Sequence, residues 1–187
     1  IELTVDVVGN VTKQEVKSGS GQVMYQHLNI FDELGRLMES IGANGESALT
    51  QYTKNNNPEQ SIDGRSNTTS QAFDALQRVK SITDPLSGIA QFAYDKRDNL
   101  ASVTDQRGLI TTYKYNIHNE VIEQHSPDTG MTQYSYDKAG NLVQQIDARG
   151  IVENLTYDAS NRLITTTYPS DSSRDITYSY DSFSTET

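Results

Sequence analysis

The sequence predicts an all-β fold in which tandem 21-residue hairpins pair edge to edge into one long curved antiparallel sheet. Three observations carry this expectation. An aromatic–acid pair recurs at multiples of 21 residues. Beside it, aromatic and apolar residues alternate with period two, as in Tyr113 and Tyr115 or Tyr134 and Tyr136. Between the alternating stretches, Gly, Asn and Asp stand at fixed offsets. A fixed period of this length marks a repeat architecture. Residues two apart share a face only on a strand, and Gly, Asn and Asp tolerate the positive φ of tight turns.

The array is expected to fill residues 1–187, with units anchored near Asp6, Asp32, Thr53, Asp74, Asp95, Asn116, Asp137, Asp158 and Asp181. The pair reads Phe31-Asp32, Phe73-Asp74, Tyr94-Asp95, Tyr136-Asp137 and Tyr157-Asp158, and Tyr52-Thr53 and Tyr115-Asn116 fill the gaps. The register from Asp32 to Asp158 carries no insertion. Five extra residues lie between Asp6 and Asp32, assigned to Ser18-Gly19-Ser20-Gly21, and Asp181 follows Asp158 by 23 residues.

Each unit resolves into four parts. A strand ends on the aromatic, as Tyr134-Ser135-Tyr136 does. A polar turn follows, with Gly35, Asn56, Gln77, Asp98, Asn119, Gly140 and Asn161 three residues after the anchor. Leu37, Pro58, Val79, Leu100, Val121, Leu142 and Leu163, five after the anchor, open a second strand such as Leu142–Ile146. Asp63, Asp84, Asp105 and Asp147, ten after the anchor, begin a second turn, with Gly88, Gly108, Gly130 and Gly150 just beyond. Strand–turn–strand at this spacing is a hairpin. No stretch shows a capped helical period. Two strands per unit at ~4.8 Å give about 10 Å of sheet width per repeat, and sheets wider than ~10 strands tend to curl.

Composition narrows the function. The net charge is −10, from 25 acidic and 15 basic side chains, which disfavours nucleic-acid backbones and anionic membranes. With no cysteine, disulfides and thiolate metal sites are excluded. No apolar run approaches the ~20 residues of a membrane helix. The chain opens Ile1-Glu2-Leu3 without Met, shows no signal peptide and stops just after a repeat motif, so it is expected to be a segment of a longer array.

The units Tyr94-Asp95-Lys96-Arg97-Asp98-Asn99-Leu100 and Tyr136-Asp137-Lys138-Ala139-Gly140-Asn141-Leu142 resemble the YD repeats of the Rhs (rearrangement hot spot) family. Relatives are the toxin-encapsulating components of bacterial insecticidal toxin complexes and the teneurins of animals. The resemblance covers nearly the whole chain. It implies a structural, non-enzymatic role as one arc of a hollow β-shell around a C-terminal toxin or effector domain. It implies as partners the neighbouring repeats, the rest of the shell and that enclosed domain, and a secreted or cell-surface location in a bacterium. The residues expected to carry the repeat are Phe31, Asp32, Gly35, Tyr52, Phe73, Asp74, Tyr94, Asp95, Tyr115, Asn116, Tyr136, Asp137, Gly140, Tyr157 and Asp158.

Each repeat supplies one Asp per turn, which fits bonding to nearby amides better than the convergent oxygens of a calcium site. His27, His118 and His125 lack metal-ligand spacing. No cofactor and no metal is expected. Asp84-Pro85-Leu86-Ser87-Gly88 is superficially similar to the Asp-Pro motif of the family's aspartyl autoprotease region. It departs from the Asp-Pro-x-Gly pattern and Asp84 sits in the ordinary turn column, so a turn is expected. Asn10-Val11-Thr12, Asn67-Thr68-Thr69 and Asn154-Leu155-Thr156 are glycosylation triplets that matter only in a eukaryotic secretory setting. The alternative function is carbohydrate or cell-surface binding through the ladder of Tyr94, Tyr115, Tyr136 and Tyr157. Unpaired edges at 1–5 and 176–180 are expected to promote self-association.

Overall fold

The computed structural model describes residues 1–180, so the anchor expected at Asp181 lies outside the described residues. The described chain is β-structure throughout, apart from a single 3₁₀ turn at Ser172–Arg174, and its seventeen strands belong to one antiparallel sheet. Contacts divide it into two compact units, Ile1–Gln91 and Phe92–Thr187.

The first unit holds β1 (Glu2–Val5), β2 (Val11–Lys17), β3 (Val23–Phe31), β4 (Leu37–Ile41), β5 (Ser47–Tyr52), β6 (Pro58–Ile62), β7 (Thr68–Phe73), β8 (Val79–Thr83) and the start of β9 (Ile89–Tyr94). The second holds the end of β9, then β10 (Leu100–Thr104), β11 (Ile110–Tyr115), β12 (Val121–Ser126), β13 (Gly130–Tyr136), β14 (Leu142–Ile146), β15 (Val152–Tyr157), β16 (Leu163–Thr167) and β17 (Ile176–Thr177). Within each unit every strand pairs antiparallel with the next in sequence. The five-residue excess lengthens the β2–β3 pair, which runs from Lys13↔Leu28 to Lys17↔Val23.

Both kinds of turn are one structure. At the YD turn, Asp137 N–H donates to Asn141 O at 3.0 Å and Gly140 N–H to Asp137 O at 3.2 Å. At the second turn, Asp147 N–H donates to Ile151 O at 3.1 Å and Gly150 N–H to Asp147 O at 2.9 Å. This is a three-residue hairpin loop closed by a left-handed residue. That residue lies three after the anchor in every YD turn, including Gln77 at φ 66°. In the second turns Ser66 (φ 65°) and Ser87 (φ 69°) take the role, so Gly88 is not the left-handed residue of its turn. The Ser126 turn is out of step: Gly130, four residues on, carries the positive φ of 78° and pairs with Ser126.

YD hairpins also carry a bulge at the aromatic. Ser135 pairs with Gln144, but Tyr136 pairs with Leu142, leaving Val143 extra, and the same shift recurs at Tyr52, Phe73, Tyr115 and Tyr157. A bulge bends its strand and re-aims side chains, here at the repeat's signature residue.

The sheet is one layer thick. Among the described residues no hydrophobic side chain is buried, and only Glu15 and Thr166 fall at or below 9 % exposure. The accessible area is 13100 Å², against about 9,000 Å² for a compact globule of this mass. Stability must therefore come from half-buried cross-strand pairs and hydrogen bonds, each contributing on the order of 0.2–1.5 kcal/mol.

Candidate functional site: the junction between hairpins

A one-layer wall stands or falls by what couples one hairpin to the next, and the signature residues converge there. The anchor carboxylate closes its own turn first. Asp137 Oδ1 accepts from Ala139 N at 2.8 Å and Asn141 N at 2.9 Å, while Oδ2 accepts from Asn141 Nδ2 at 3.0 Å. Asp32, Asp74 and Asp158 hold an arginine Nε four residues on, at 2.6–2.7 Å. Asn116 and Thr53 supply an equivalent acceptor where the acid is missing. Asp63 and Asp147 do the same in the second turns.

These bonds favour the charged carboxylate. The backbone N–H of the fourth residue on is the main cause holding Asp32, Asp105, Asp147 and Asp158 below the usual range. For Asp63, Asp74, Asp95 and Asp137 the side chain of that residue is the main cause. At Asp6 burial raises the pKa most, but the Asn10 side chain and backbone bonds together outweigh it.

The tyrosine then reaches backwards. Ladders between hairpins are short: β10–β11 has only Ser102↔Thr112, Val103↔Thr111 and Thr104↔Ile110. Where that ladder runs out, Tyr115 OH donates to Leu100 O at 2.9 Å. Tyr52, Tyr136 and Tyr157 repeat the bond, at 2.9 Å, to Leu37, Val121 and Leu142, and Tyr180 bonds Leu163 O at 2.8 Å. Each tyrosine thus latches onto the residue that opens the preceding hairpin's second strand. Burial raises the pKa of Tyr115, Tyr136 and Tyr157, so the hydroxyls stay protonated donors. Phe31 and Phe73 have no hydroxyl. At the Phe31 junction Asn29 Nδ2 takes the matching carbonyl, Val11 O, at 3.0 Å.

A third coupling runs along the tips. Asn99 Nδ2 donates to Asn119 Oδ1 and Asn141 Nδ2 to Asn161 Oδ1, both at 2.9 Å, and Arg36 Nη1 donates to Asn56 Oδ1 at 2.7 Å. Arg36 and Arg162 also lie over the rings of Tyr52 and Tyr180, 4.6 Å from the centroids. Between the Asn116 and Asp137 turns this tip bond cannot form, because Glu120 has no donor and Gly140 no side chain. Sequence reasoning picked out the tyrosines and turn residues but not the latch, the Asn29 substitute or the tip bonds. The recurring Asn or Arg four after the anchor was the visible signal for the last.

Other candidate chemistry recedes against this geometry. Asp84 Oδ1 accepts from Leu86 N and Gly88 N, both at 2.8 Å, which is the ordinary turn. His27 Nε2 lies 2.9 Å from Ser40 Oγ and 3.1 Å from Asn29 Oδ1. Because Asn29 turns its amide nitrogen to Val11 O, its oxygen faces the ring, so Nε2 is a donor and cannot serve as base to Ser40. Among the described residues no group of three or more His, Asp or Glu is placed to hold a metal ion.

The repeats, bulges and latches define the class first: a tandem β-hairpin array of the YD type. The sequence profile described as the teneurin YD-shell matches residues 87–187, more than half of the chain. The chain belongs to that family. No curated protein matches it. Among solved structures, that of TcdB2-TccC3 is similar with a TM-score of 0.70 at 16 % identity, covering 89 % of this chain and 10 % of that one. The Photorhabdus luminescens Tc holotoxin pore gives 0.71 at 13 % identity, with 89 % and 11 % coverage. TcdB2-TccC3 without its hypervariable C-terminal region gives 0.68 at 15 % identity, with 92 % and 10 % coverage. The chain therefore spans about a tenth of the length of these structures, and at such identity they establish the shared fold alone.

Proposed function

We propose that this chain is a stretch of wall in an Rhs-type shell whose parent protein encloses a C-terminal toxin or effector domain. The observation that carries the reading is the hairpin junction. The carboxylate closes each turn, and latch and tip bond couple a hairpin to its immediate neighbour, so an array grows by adding repeats without needing a core. The family and the Tc toxin structures support it. So does the match to TcdB2-TccC3 lacking its hypervariable C-terminal region, since the similar part lies outside that region. On this reading the chain has no catalytic role and its expected residues are structural. Its partners are the rest of the shell and the enclosed domain, in a secreted or surface-displayed bacterial protein. The isolated chain self-associates through its sheet edges, because all four residues of β1 are exposed.

The test is protease digestion of the full gene product. The C-terminal domain should survive while shell and cargo are intact, and be cut once urea opens the wall. A C-terminal domain cut as fast in the full product as when expressed alone would overturn the reading. Sugar binding by the tyrosine ladder is not favoured: the hydroxyls of Tyr115, Tyr136 and Tyr157 are bonded to backbone.

A further inference from the structure

The second unit departs from its turn pattern where the chain is longer. Twenty-one residues after Asp147, where an Asp would open the next turn, stands Tyr168, and the following anchor is two residues late. Insertions into repeat arrays emerge as loops on one face, often the binding face. Here Asp171 N–H donates to Tyr168 O at 2.8 Å and Tyr168 N–H to Asp175 Oδ1 at 2.7 Å. The 3₁₀ turn between them brings the Arg174 guanidinium over the Tyr168 ring, 4.1 Å from its centroid. Tyr168 OH donates to Glu153 Oε1 at 2.8 Å. Tyr168, Arg174 and Glu153, with Gln145, Asp147, Arg149 and Ile151, line a recess of about 170 Å³.

The charges in this recess are unequally committed. Asp147 is saturated: its Oδ1 accepts from two backbone N–H groups, and its Oδ2 from Arg149 Nε at 2.9 Å and Nη2 at 2.8 Å. Arg149 keeps Nη1 uncommitted. Arg174 makes no ion pair with any described residue; its guanidinium lies over the Tyr168 ring. A planar guanidinium fixed by stacking is preorganised for two-point binding of an oxyanion. We propose that this recess is an oxyanion-binding site, taking a carboxylate or phosphate group on the fork of Arg174 with Arg149 Nη1 as second donor. The volume suits one such group and is below the ~300 Å³ at which drug-sized pockets begin. Glu153 faces the same recess and opposes an anion, which gives the test a sign.

The ¹⁵N-labelled chain is titrated at constant ionic strength with sodium phosphate and, separately, with N-acetyl-glutamate, following the arginine Nε–H signals by NMR. Saturable shifts at Arg174 and Arg149 with either probe support the site, and the probe that saturates at lower concentration identifies the preferred group. Arg174→Gln should weaken binding roughly tenfold or more. Arg174→Lys keeps the charge, loses the fork and should also weaken it, while Glu153→Gln should strengthen it severalfold. Arg107, already paired with Asp105 and Asp128, should not move. Shifts that fail to saturate with both probes, that are equal at Arg107, or that survive Arg174→Gln in a folded chain would overturn the proposal.

Discussion

Tyr136→Phe removes one oxygen and nothing else. The ring stays, so packing against Leu142, its partner across the bulge, is unchanged. What is lost is the 2.9 Å bond to Val121 O. A net hydrogen bond contributes about 0.5–1.5 kcal/mol, and leaving an acceptor unsatisfied adds to the loss when water cannot replace the donor. Val121 is only half-buried, so water recovers part of that penalty and a cost of about 1–1.5 kcal/mol is expected. The site is chosen because the tip bond is absent at this junction, so no second polar coupling masks the loss. Urea unfolding should show the cost, and hydrogen exchange should show opening about five- to tenfold more frequent along β12–β13. Tyr134→Phe in the same strand is the control, since that hydroxyl only reaches Gln124 Oε1 at 3.5 Å. Equal costs for the two variants, or a Tyr136→Phe effect below ~0.3 kcal/mol, would refute the latch; a value that small lies under the range for any net hydrogen bond.

Other consequences follow from the same contacts. The depressed carboxylates of the turns stabilise the fold above their unfolded value near 3.9. That stability should be lost as pH falls below about 4 and through the lower folded values, so circular dichroism should show cooperative acid unfolding there and a flat signal from pH 5 to 8. Gly130→Ala should be destabilising by about 2–3 kcal/mol in urea, because the residue sits at φ 78° and an added Cβ would meet Ala148 Cβ at 2.5 Å. A change under 0.5 kcal/mol would show that the turn re-forms freely, since the left-handed backbone alone costs more than that. Exposed edges such as β1, with Leu3 and Val5 more than half exposed, should make light-scattering mass rise with concentration and with salt, as screening weakens the repulsion of a −10 chain. A strict monomer at high concentration and high salt would contradict edge pairing.

The parts of the fold legible in the sequence were those fixed by local sterics and period. Position three of the turn was readable at Gly35, Asn56 and Gly140 because few residues accept positive φ. Gln77, Ser66 and Ser87 adopt the same conformation against preference, because the register of the flanking strands imposes it. The strand Gly130–Tyr136 was readable from the alternation of Tyr134 and Tyr136, and Leu142–Ile146 from its place between two turns. The latch was not readable, because its donor and acceptor lie 15 or 17 residues apart on different hairpins, and a tyrosine in sequence carries no mark of where its hydroxyl points. Asn29 is harder still: it replaces a missing hydroxyl from two residues away, on a strand whose register is set by a five-residue insertion. The recess at Tyr168 needed the coordinates, since only they bring Arg174 onto the ring.

Hairpins are coupled edge to edge, with a latch at the Tyr52, Tyr115, Tyr136, Tyr157 and Tyr180 junctions. Residue-resolved amide hydrogen exchange on this chain tests this coupling most directly. The ladders between hairpins, β10–β11 and β14–β15, should be protected to within about tenfold of β11–β12 and β15–β16, the ladders inside them. Fast exchange should be confined to the turn tips, two in each 21-residue repeat. Protection inside hairpins with free exchange between them would contradict the account, because the chain would then be a string of separate hairpins.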